Sequence, residues 1–583
     1  MFKFRTIVVF LISLGLVLSF AATGRVIAAQ GSYEDQGFWI SEGQDSSGAP
    51  MTNLKVLVDT NDPRKGEIVC SSTLDPKCTG KVIGNASMYL IPCSDLSTVA
   101  CINEVYAIGT DGLKIKGTYV RSIAKVSNLS FEQNSAIKLA AGEGMGGLWR
   151  FPGVVHGAKS DIYSVQARIT GNNSAGNSII YYNTAQFGIS AVEESTTQFQ
   201  DPIVGVNNEG MYLGGYAFDQ NCVMHEKGIC YKRTTFPKNY RFGIEVKLPN
   251  SLLGWFHGRF AKPDFSVTSD SDNSFRYRVE ASPVVVPEVK EKIPFSSWTS
   301  EFRDYVREQW PFSGGMGYMM PGVAGKFALE ITRRFLPMVN DKATASASFW
   351  VVKTLNEWAD GKITESISPR VLSCTKSAGT ISGLVTTNAM VYSQGPPDFN
   401  EARQSLDYKV LSPHFDESGK ENLGSYDLLI DSGVARCIYG FSRAPIKAEL
   451  EIIASDGTTK IATTSLGERG NWLFLSANGF SYSDPIIRVI LSQEKVTESS
   501  PTPTPIASSP MPEVITSPTP SVSVTPTPLP SAVKTIPSAQ KSSAPSQKIV
   551  TITCKRGNQL KNLSGKSGAK LTCPKGWKLV LTR

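Results

Sequence analysis

Histidine is scarce in this chain of 583 residues, which contains only four. Charged residues make up 19 % of the sequence, below the average of roughly 25 % for globular proteins. So little histidine gives no support to histidine catalysis or histidine–metal chemistry, and the 41 % hydrophobic content argues against a wholly disordered polyelectrolyte. We therefore expect a folded protein of about three domains, with no bound cofactor and no metal ion.

Long hydrophobic runs are absent beyond the first thirty residues. At the start, Lys3 and Arg5 precede an apolar run at 7–20, and residues 26–28 form a cleavage site. This pattern is typical of a secretory signal peptide, here residues 1–29. The run is short for a membrane span of roughly 20 residues, which favours a cleaved signal over an uncleaved anchor. We expect a secreted or cell-surface protein, exported through the general secretion route, with no transmembrane segment after cleavage.

Acidic residues are absent from 548–583, a segment that contains nine Lys or Arg. The rest of the chain beyond residue 29 has a formal net charge of −4, so the +8 of the whole sequence does not describe its body. A basic tail attracts anionic cell-envelope polymers or polysaccharide by salt-sensitive electrostatics, and no base-reading motif indicates a specific nucleic acid. The proposed polyanion-binding residues are Lys555, Arg556, Lys561, Lys566, Lys570, Lys575 and Lys578. A tail that only increases solubility is the alternative.

The ten cysteines are even in number and form no C-x-x-C motif. In an oxidising compartment this predicts five disulfides. Neighbouring cysteines would close three short loops, and two further pairs would close a larger domain and the basic tail: Cys70–Cys78, Cys93–Cys101, Cys222–Cys230, Cys374–Cys437 and Cys554–Cys573. Pairing of Cys70 with Cys101 and of Cys78 with Cys93 stays open.

Short alternating or apolar runs between Gly, Asn and Asp breaks predict antiparallel β-structure through most of the body. Examples are residues 54–58, 87–91, 162–165, 178–182, 275–281, 425–430, 435–441, 448–454, 472–476 and 485–491. Turn signals stand at Asp456–Gly457 and Asn478–Gly479. The expected fold class is mainly β, with several antiparallel sandwich-like domains.

Helical spacing replaces alternation at about 297–336, which predicts a helical hairpin that ends at Pro337. Residues 497–547 contain 12 Pro, 12 Ser and 8 Thr, a composition typical of a disordered linker. The expected organisation is a signal peptide (1–29), a β-domain (30–190), a β-domain with the helical insertion (191–344), a sandwich-like domain (345–496), the linker (497–547) and a basic disulfide-closed tail (548–583).

Motifs for chemistry are weak. The glycines at 142, 144 and 147 match a dinucleotide loop, but no helical pattern follows, which favours a turn. Residues 440–444 resemble a nucleophile elbow that follows a strand, but Pro445 stands where a helix should begin. Asp270 and Asp272 resemble the start of a calcium loop without its later ligands, which favours a solvated surface loop.

The densest cluster of aromatic and polar residues contains Trp255, His257 and Arg259. Aromatic faces beside planar polar groups suit a sugar ring or a protein partner, which makes these three residues weak candidates for ligand binding. The interpretation that we favour is a turn with core aromatics, in which Arg259 forms a salt bridge with Asp264.

The tail, with Thr551–Gly557 and then Cys573–Lys578, resembles a two-cysteine module at the ends of exported actinobacterial proteins, often after a Pro/Thr/Ser linker. Residues 386–389, 435–441 and 478–480 are similar to uncharacterised large surface proteins of the same group. The resemblance implies a location at the cell surface and carries no catalytic residues.

Two functions of different classes follow. The first is a non-enzymatic envelope or extracellular protein that binds glycan, wall polymer or another surface protein, with the basic tail giving electrostatic attachment. The second is an exported glycan-active hydrolase with paired carboxylates on a β-scaffold, because glycoside hydrolysis needs two acids about 5–10 Å apart. The sequence identifies no such pair.

Overall fold

The structure is a computed structural model in which two parts of the chain are described. The first part is residues 52–493, with gaps at 61–65, 95–98, 124–129, 175, 197–204, 207–211, 214–221, 227, 290–292, 294, 310–323, 356–367, 443–445, 455–456, 458, 462–464 and 483–484. The second is residues 549–556, 559–566 and 578–582. The predicted signal peptide, the linker, Lys570, Lys575 and Cys573 lie outside the described residues. Contacts divide the chain into two units, Met1–Glu498 and Ser499–Arg583.

The first unit is mainly β, as predicted. Its strands are β1 (Asn53–Leu57), β2 (Glu67–Val69), β3 (Ile83–Tyr89), β4 (Cys101–Ile108), β5 (Lys114–Lys116), β6 (Thr118–Ser122), β7 (Ser130–Phe131), β8 (Gly142–Glu143), β9 (Gly147–Arg150), β10 (Ile162–Asn172), β11 (Tyr181–Thr196), β12 (Gly205–Val206), β13 (Tyr212–Leu213), β14 (Cys222–Glu226), β15 (Ile229–Arg233), β16 (Arg241–Leu248), β17 (Gly254–Arg259), β18 (Ala261–Ser269), β19 (Phe275–Ser282), β20 (Val284–Glu288), β21 (Ala345–Phe349), β22 (Val351–Thr354), β23 (Ile381–Thr387), β24 (Val391–Tyr392), β25 (Asp398–Asn400), β26 (Ser405–Leu411), β27 (Leu423–Asp431), β28 (Ile446–Ile453), β29 (Thr459–Ile461), β30 (Ser465–Arg469), β31 (Trp472–Ser481) and β32 (Ile486–Gln493).

The helices described in this unit are short. They are α1 (Ser300–Gln309), α2 (Lys326–Phe335), α3 (Pro369–Ala378) and α4 (Ser432–Tyr439), with 3₁₀ turns at Phe295–Ser297 and Leu336–Val339. Helices α1 and α2 both lie in the segment predicted as a helical hairpin, and the connection between them, 310–323, lies outside the described residues. Helix α2 follows Gly325, whose φ of 100° favours glycine, and it buries Ala328, Ile331 and Phe335 on one side.

One large sheet runs through the described part of the first unit. Its strand order is β2-β1-β3-β10-β11-β22-β17-β23-β27-β31-β30, with β6, β9, β14 and β15 attached beside β10 and β11. The sheet joins strands from all three segments that the sequence suggested as domains, and the expected boundary at 190 falls inside β11. Pairing between distant segments, such as Gly188 with Val351, cannot be recognised from a local sequence pattern.

The large sheet is the middle of three layers. On one face it packs against a five-stranded sheet of order β18-β19-β16-β4-β5, with Phe187 and Leu384 in the shared core. On the other face, Trp255 and Leu428 share a core with the helices and with a six-stranded sheet made of β24, β25, β26, β32, β28 and β29. The central strands are therefore covered on both faces, and every residue of β23 is buried.

The outer face of the five-stranded sheet meets water, as the alternation in β19 predicts. Tyr277 and Val279 point into the core, while the intervening Arg278 and Glu280 are half-buried on the other face. Arg278 lies 3.2 Å from Asp264, and Glu280 accepts a 3.0 Å hydrogen bond from Arg241. Ion pairs therefore hold charged side chains together on this face.

Three of the local predictions are wrong. Of the strand predicted at 435–441, residues 435–439 lie in α4 instead, because Asp431 caps the helix by accepting a 3.0 Å bond from the Val434 N–H and Gly440 ends it in the left-handed region. The Asn478–Gly479 turn is a bulge inside β31, where the register against β27 shifts. The strand predicted at 178–182 begins at Tyr181.

Four disulfides join the pairs of cysteines that the spacing predicts: Cys70–Cys78, Cys93–Cys101, Cys222–Cys230 and Cys374–Cys437. The alternative pairing of the first four cysteines does not occur. Cys374 and Cys437 lie on α3 and α4, so their bond joins two helices. The fifth predicted bond involves Cys573 and lies outside the described residues.

A buried carboxylate, Asp427, ties four strands together and makes stability depend on pH. It accepts hydrogen bonds from the Lys262 N–H (2.8 Å), the Thr386 hydroxyl (3.1 Å) and the Ser476 hydroxyl (2.6 Å). Burial raises its pKa above the ordinary value of 3.8. The native carboxyl holds its proton to higher pH than the unfolded one, so it contributes stability at acidic pH that is lost as the pH rises through its native pKa.

We expect the stability advantage of the wild type over Asp427→Asn to shrink as the pH rises from about 4, because only the wild type must ionise a buried group. Urea unfolding of both proteins across this range measures the effect. The control is Asp416→Asn, since the Ser418 hydroxyl and nearby N–H groups lower the pKa of Asp416 and the trend should have the opposite sign. Parallel pH profiles for the two variants would contradict the prediction.

Candidate functional site: buried candidates and the basic sheet

The cluster of Trp255, His257 and Arg259 lies on β17 in the middle of the large sheet. All three residues are at most 1 % exposed, because β17 is covered on both faces. Trp255 donates a 3.1 Å hydrogen bond from its indole nitrogen to the Thr375 hydroxyl on α3 and packs over Gly383, where any Cβ would collide with its ring. None of the three reaches a surface where a ligand could bind.

Arg259 does not form the salt bridge that we expected with Asp264. It contacts instead the part of the chain that passes from the large sheet to the six-stranded sheet. Its guanidinium donates to the carbonyl oxygens of Thr387 and Met390, at 3.1 Å each, and to that of Ala389. Thr387 ends β23 in the large sheet, and Ala389 and Met390 lie between β23 and β24 of the six-stranded sheet. Asp264 pairs with Arg278 instead. Arg259 therefore fixes the position of the chain where it passes between the two sheets.

His257 is stacked in the same interior layer. Its ring lies parallel to that of Tyr392, with 3.7 Å between ring centres, and the Arg259 guanidinium covers Tyr392 at 4.4 Å. Burial, with the charges of Arg259 and Lys353, lowers the pKa of His257 far below 6.5. The imidazole is therefore neutral at physiological pH and packs as an aromatic ring.

The weak motifs differ from the sites that they resemble. Gly142 lies in β8 and Gly147 begins β9, while Gly144 and Gly146 lie between the two strands with φ in the left-handed region. Asp270 and Asp272 pair with Arg276 (2.8 Å) and Lys247 (2.7 Å), so both carboxylates already have cationic partners. The segment at 440–444 follows a helix, which a nucleophile elbow does not.

The part of the chain that the structure describes contains no group of three or more His, Cys, Asp or Glu arranged to hold a metal ion. Within the same residues, no helix combines the length and the apolar character needed to cross a bilayer.

One row of charges across the six-stranded sheet was not predicted. Asp398 lies opposite Asp407, Asp407 lies opposite Arg488, and Arg488 lies opposite Glu451 on successive strands. The Arg488 guanidinium holds Asp407 with two hydrogen bonds of 2.8 Å and lies 3.7 Å from Glu451. Burial, with the charge of Asp407, raises the pKa of Asp398. Only strand register brings these residues together, so no sequence spacing could have indicated them.

The second unit contains a three-stranded antiparallel sheet. Its strands are β33 (Ile549–Arg556), β34 (Gln559–Lys566) and β35 (Lys578–Thr582), in the order β34-β33-β35. Four of the proposed polyanion-binding residues lie within strands, Lys555, Arg556, Lys561 and Lys566, and Lys578 begins β35. Lys555 is directly opposite Lys578. The tail is therefore a β-module in which basic residues occupy regular positions.

Known proteins give no further guide to this site. No family model matches the chain, and no curated protein matches it.

Proposed function

We propose that this protein is exported and acts at the cell envelope or outside the cell as a binding protein without catalysis, held to anionic envelope polymers by its basic C-terminal module. The observation that carries the proposal is the segregation of charge: nine Lys or Arg and no Asp or Glu in residues 548–583, beside a body of formal charge −4. Such a segment attracts a polyanion, whereas the body does not.

Further features support this proposal. Four disulfides suit an oxidising compartment outside the cytoplasm, where they persist. The N-terminal pattern of a signal peptide and the resemblance of the tail to modules of exported actinobacterial proteins agree with this location. In the body, the residues that the sequence offered for chemistry are in the core or have ionic partners, so they give no support to a catalytic site.

Deletion of the basic module is expected to abolish attachment. The chain from residue 30 to 583 should sediment with isolated envelope at low salt and be released near 1 M salt, where the screening length falls to about 3 Å. The chain from residue 30 to 547 should stay in the supernatant at both salt concentrations. The measurement is the fraction of protein in the pellet. Equal sedimentation of the two forms would exclude the basic module as the attachment site.

The second candidate is a glycan-active hydrolase, and the pair of Asp398 and Asp407 favours it. Residues directly opposite each other on neighbouring antiparallel strands have Cβ atoms about 4.5–5.5 Å apart, a spacing that suits the two acids of a double-displacement hydrolase, and the pKa of Asp398 is raised, as a general acid requires. The same incubation distinguishes the two candidates. Soluble sugar that accumulates with time in the supernatant would replace the binding function with the hydrolase, and a constant sugar content would favour binding alone.

A further inference from the structure

The strand register divides the C-terminal sheet into two unlike faces. Residues that pair directly in an antiparallel sheet share a face, and the faces alternate along each strand. One face, called the lysine face here, has these positions: Ile549, Thr551, Thr553, Lys555, Leu560, Asn562, Ser564, Lys566, Lys578 and Leu581. The opposite face has these: Val550, Ile552, Cys554, Arg556, Gln559, Lys561, Leu563, Gly565, Leu579 and Thr582.

We propose that the lysine face is the surface on which this module binds an acidic polysaccharide, with Lys555 and Lys578 as the main charged contacts and Lys566 as a further one. The inference rests on the proposed function and makes it specific, because it assigns binding to one face rather than to the total charge of the tail.

The first argument is the opposition of Lys555 and Lys578. Like charges directly opposite each other in a sheet repel and destabilise the pairing of their strands. An anionic group bound between them removes this repulsion, so the register itself creates a position for a carboxylate or phosphate. The opposite face has no such pair, since Arg556 is opposite Gln559 and Lys561 is opposite Cys554.

The second argument is the kind of residue between the lysines. Thr553 is opposite Asn562 and Thr551 is opposite Ser564, so the hydroxyl and amide positions form two rows between Lys555 and Lys566. Hydroxyl and amide groups both donate and accept hydrogen bonds, as the hydroxyls of a sugar require. At about 3.3 Å per residue, Lys566 lies roughly 20 Å from the Lys555 row, enough for several sugar units. A linear polysaccharide with regularly spaced anionic groups fits this pattern.

The test compares two double variants with equal loss of charge, Lys555→Gln/Lys578→Gln and Arg556→Gln/Lys561→Gln, in the chain from residue 30 to 583. The probe is polygalacturonate, and dextran is the neutral control. Double-stranded DNA is a second control, a polyanion whose sugars expose no hydroxyl groups to the protein. Titration at low salt gives the affinity. We expect about a tenfold or larger loss for the lysine-face pair and about threefold or less for the other pair.

A second matched comparison keeps the test valid if either double variant does not fold. Lys566→Gln and Lys561→Gln change the same strand and remove one charge each from opposite faces, and only the first should weaken binding of polygalacturonate measurably. Equal losses within both comparisons would overturn the lysine face while leaving electrostatic attachment intact. DNA bound as tightly as polygalacturonate would also overturn it. Failure of the unaltered chain to bind any polyanion would instead overturn the proposed function.

Discussion

Replacing Arg259 by Met is expected to lower the free energy of unfolding by about 3–5 kcal/mol. Methionine restores part of the apolar volume but donates no hydrogen bond, so the carbonyl oxygens of Thr387, Ala389 and Met390 lose a donor in the interior. Each buried polar group left unsatisfied costs about 1–3 kcal/mol. Chemical denaturation of the two proteins at neutral pH measures the difference.

Arg276→Met is the matched control for this prediction. The Arg276 side chain is 48 % exposed and pairs with Asp270 at the surface, so its loss should cost less than about 1 kcal/mol. If the two substitutions lowered stability by the same amount, the contacts of Arg259 with the β23–β24 crossing would not be important for the fold.

Removing the Cys374–Cys437 disulfide by replacing both cysteines with Ala is expected to cost about 4 kcal/mol. The bond closes a loop across a separation of 63 residues, and the chain-entropy model relates the stabilisation to the length of the closed loop. It also joins α3 to α4, two short helices that are not stable on their own. Equilibrium unfolding of the variant under oxidising conditions measures the loss.

The comparison for this second prediction is Cys70→Ala/Cys78→Ala, which opens a loop with a separation of only 8 residues. The same model gives about 2.5 kcal/mol for that bond. The order of the two losses is the critical result. A larger loss for the short loop would mean that the local packing around each bond, rather than loop closure, determines its contribution.

The sequence predicted those parts of the fold that local patterns control. Alternation identified β19, β27 and β32, and helical spacing identified α1 and α2. It failed at α4, where a Cys-Ile-Tyr run with β-propensity lies between a helix N-cap at Asp431 and a glycine end at Gly440. The three-layer arrangement could not be predicted, because the partners of β17 come from β22 and β23, far along the chain.

The candidate sites also differ in how far the sequence alone could predict them. The basic module was visible because its signal is composition, which needs no tertiary information. Trp255, His257 and Arg259 resembled a binding cluster because a strand buried on both faces can contain polar side chains whose partners are backbone carbonyls. Asp398 and Asp407 escaped notice because their proximity depends on the register of β25 against β26.

The order of strands in the large sheet has a consequence for how the chain folds during its synthesis. The edge of β11 is completed only when β22 arrives, since Gly188 pairs with Val351, and the core beneath it still needs Leu384 and Leu429. A chain that grows from its N-terminus therefore cannot complete its first half before its second half has been synthesised. Folding of the body is a late, high-contact-order event, and until then the half-built sheet presents an open edge to proteases and to other nascent chains.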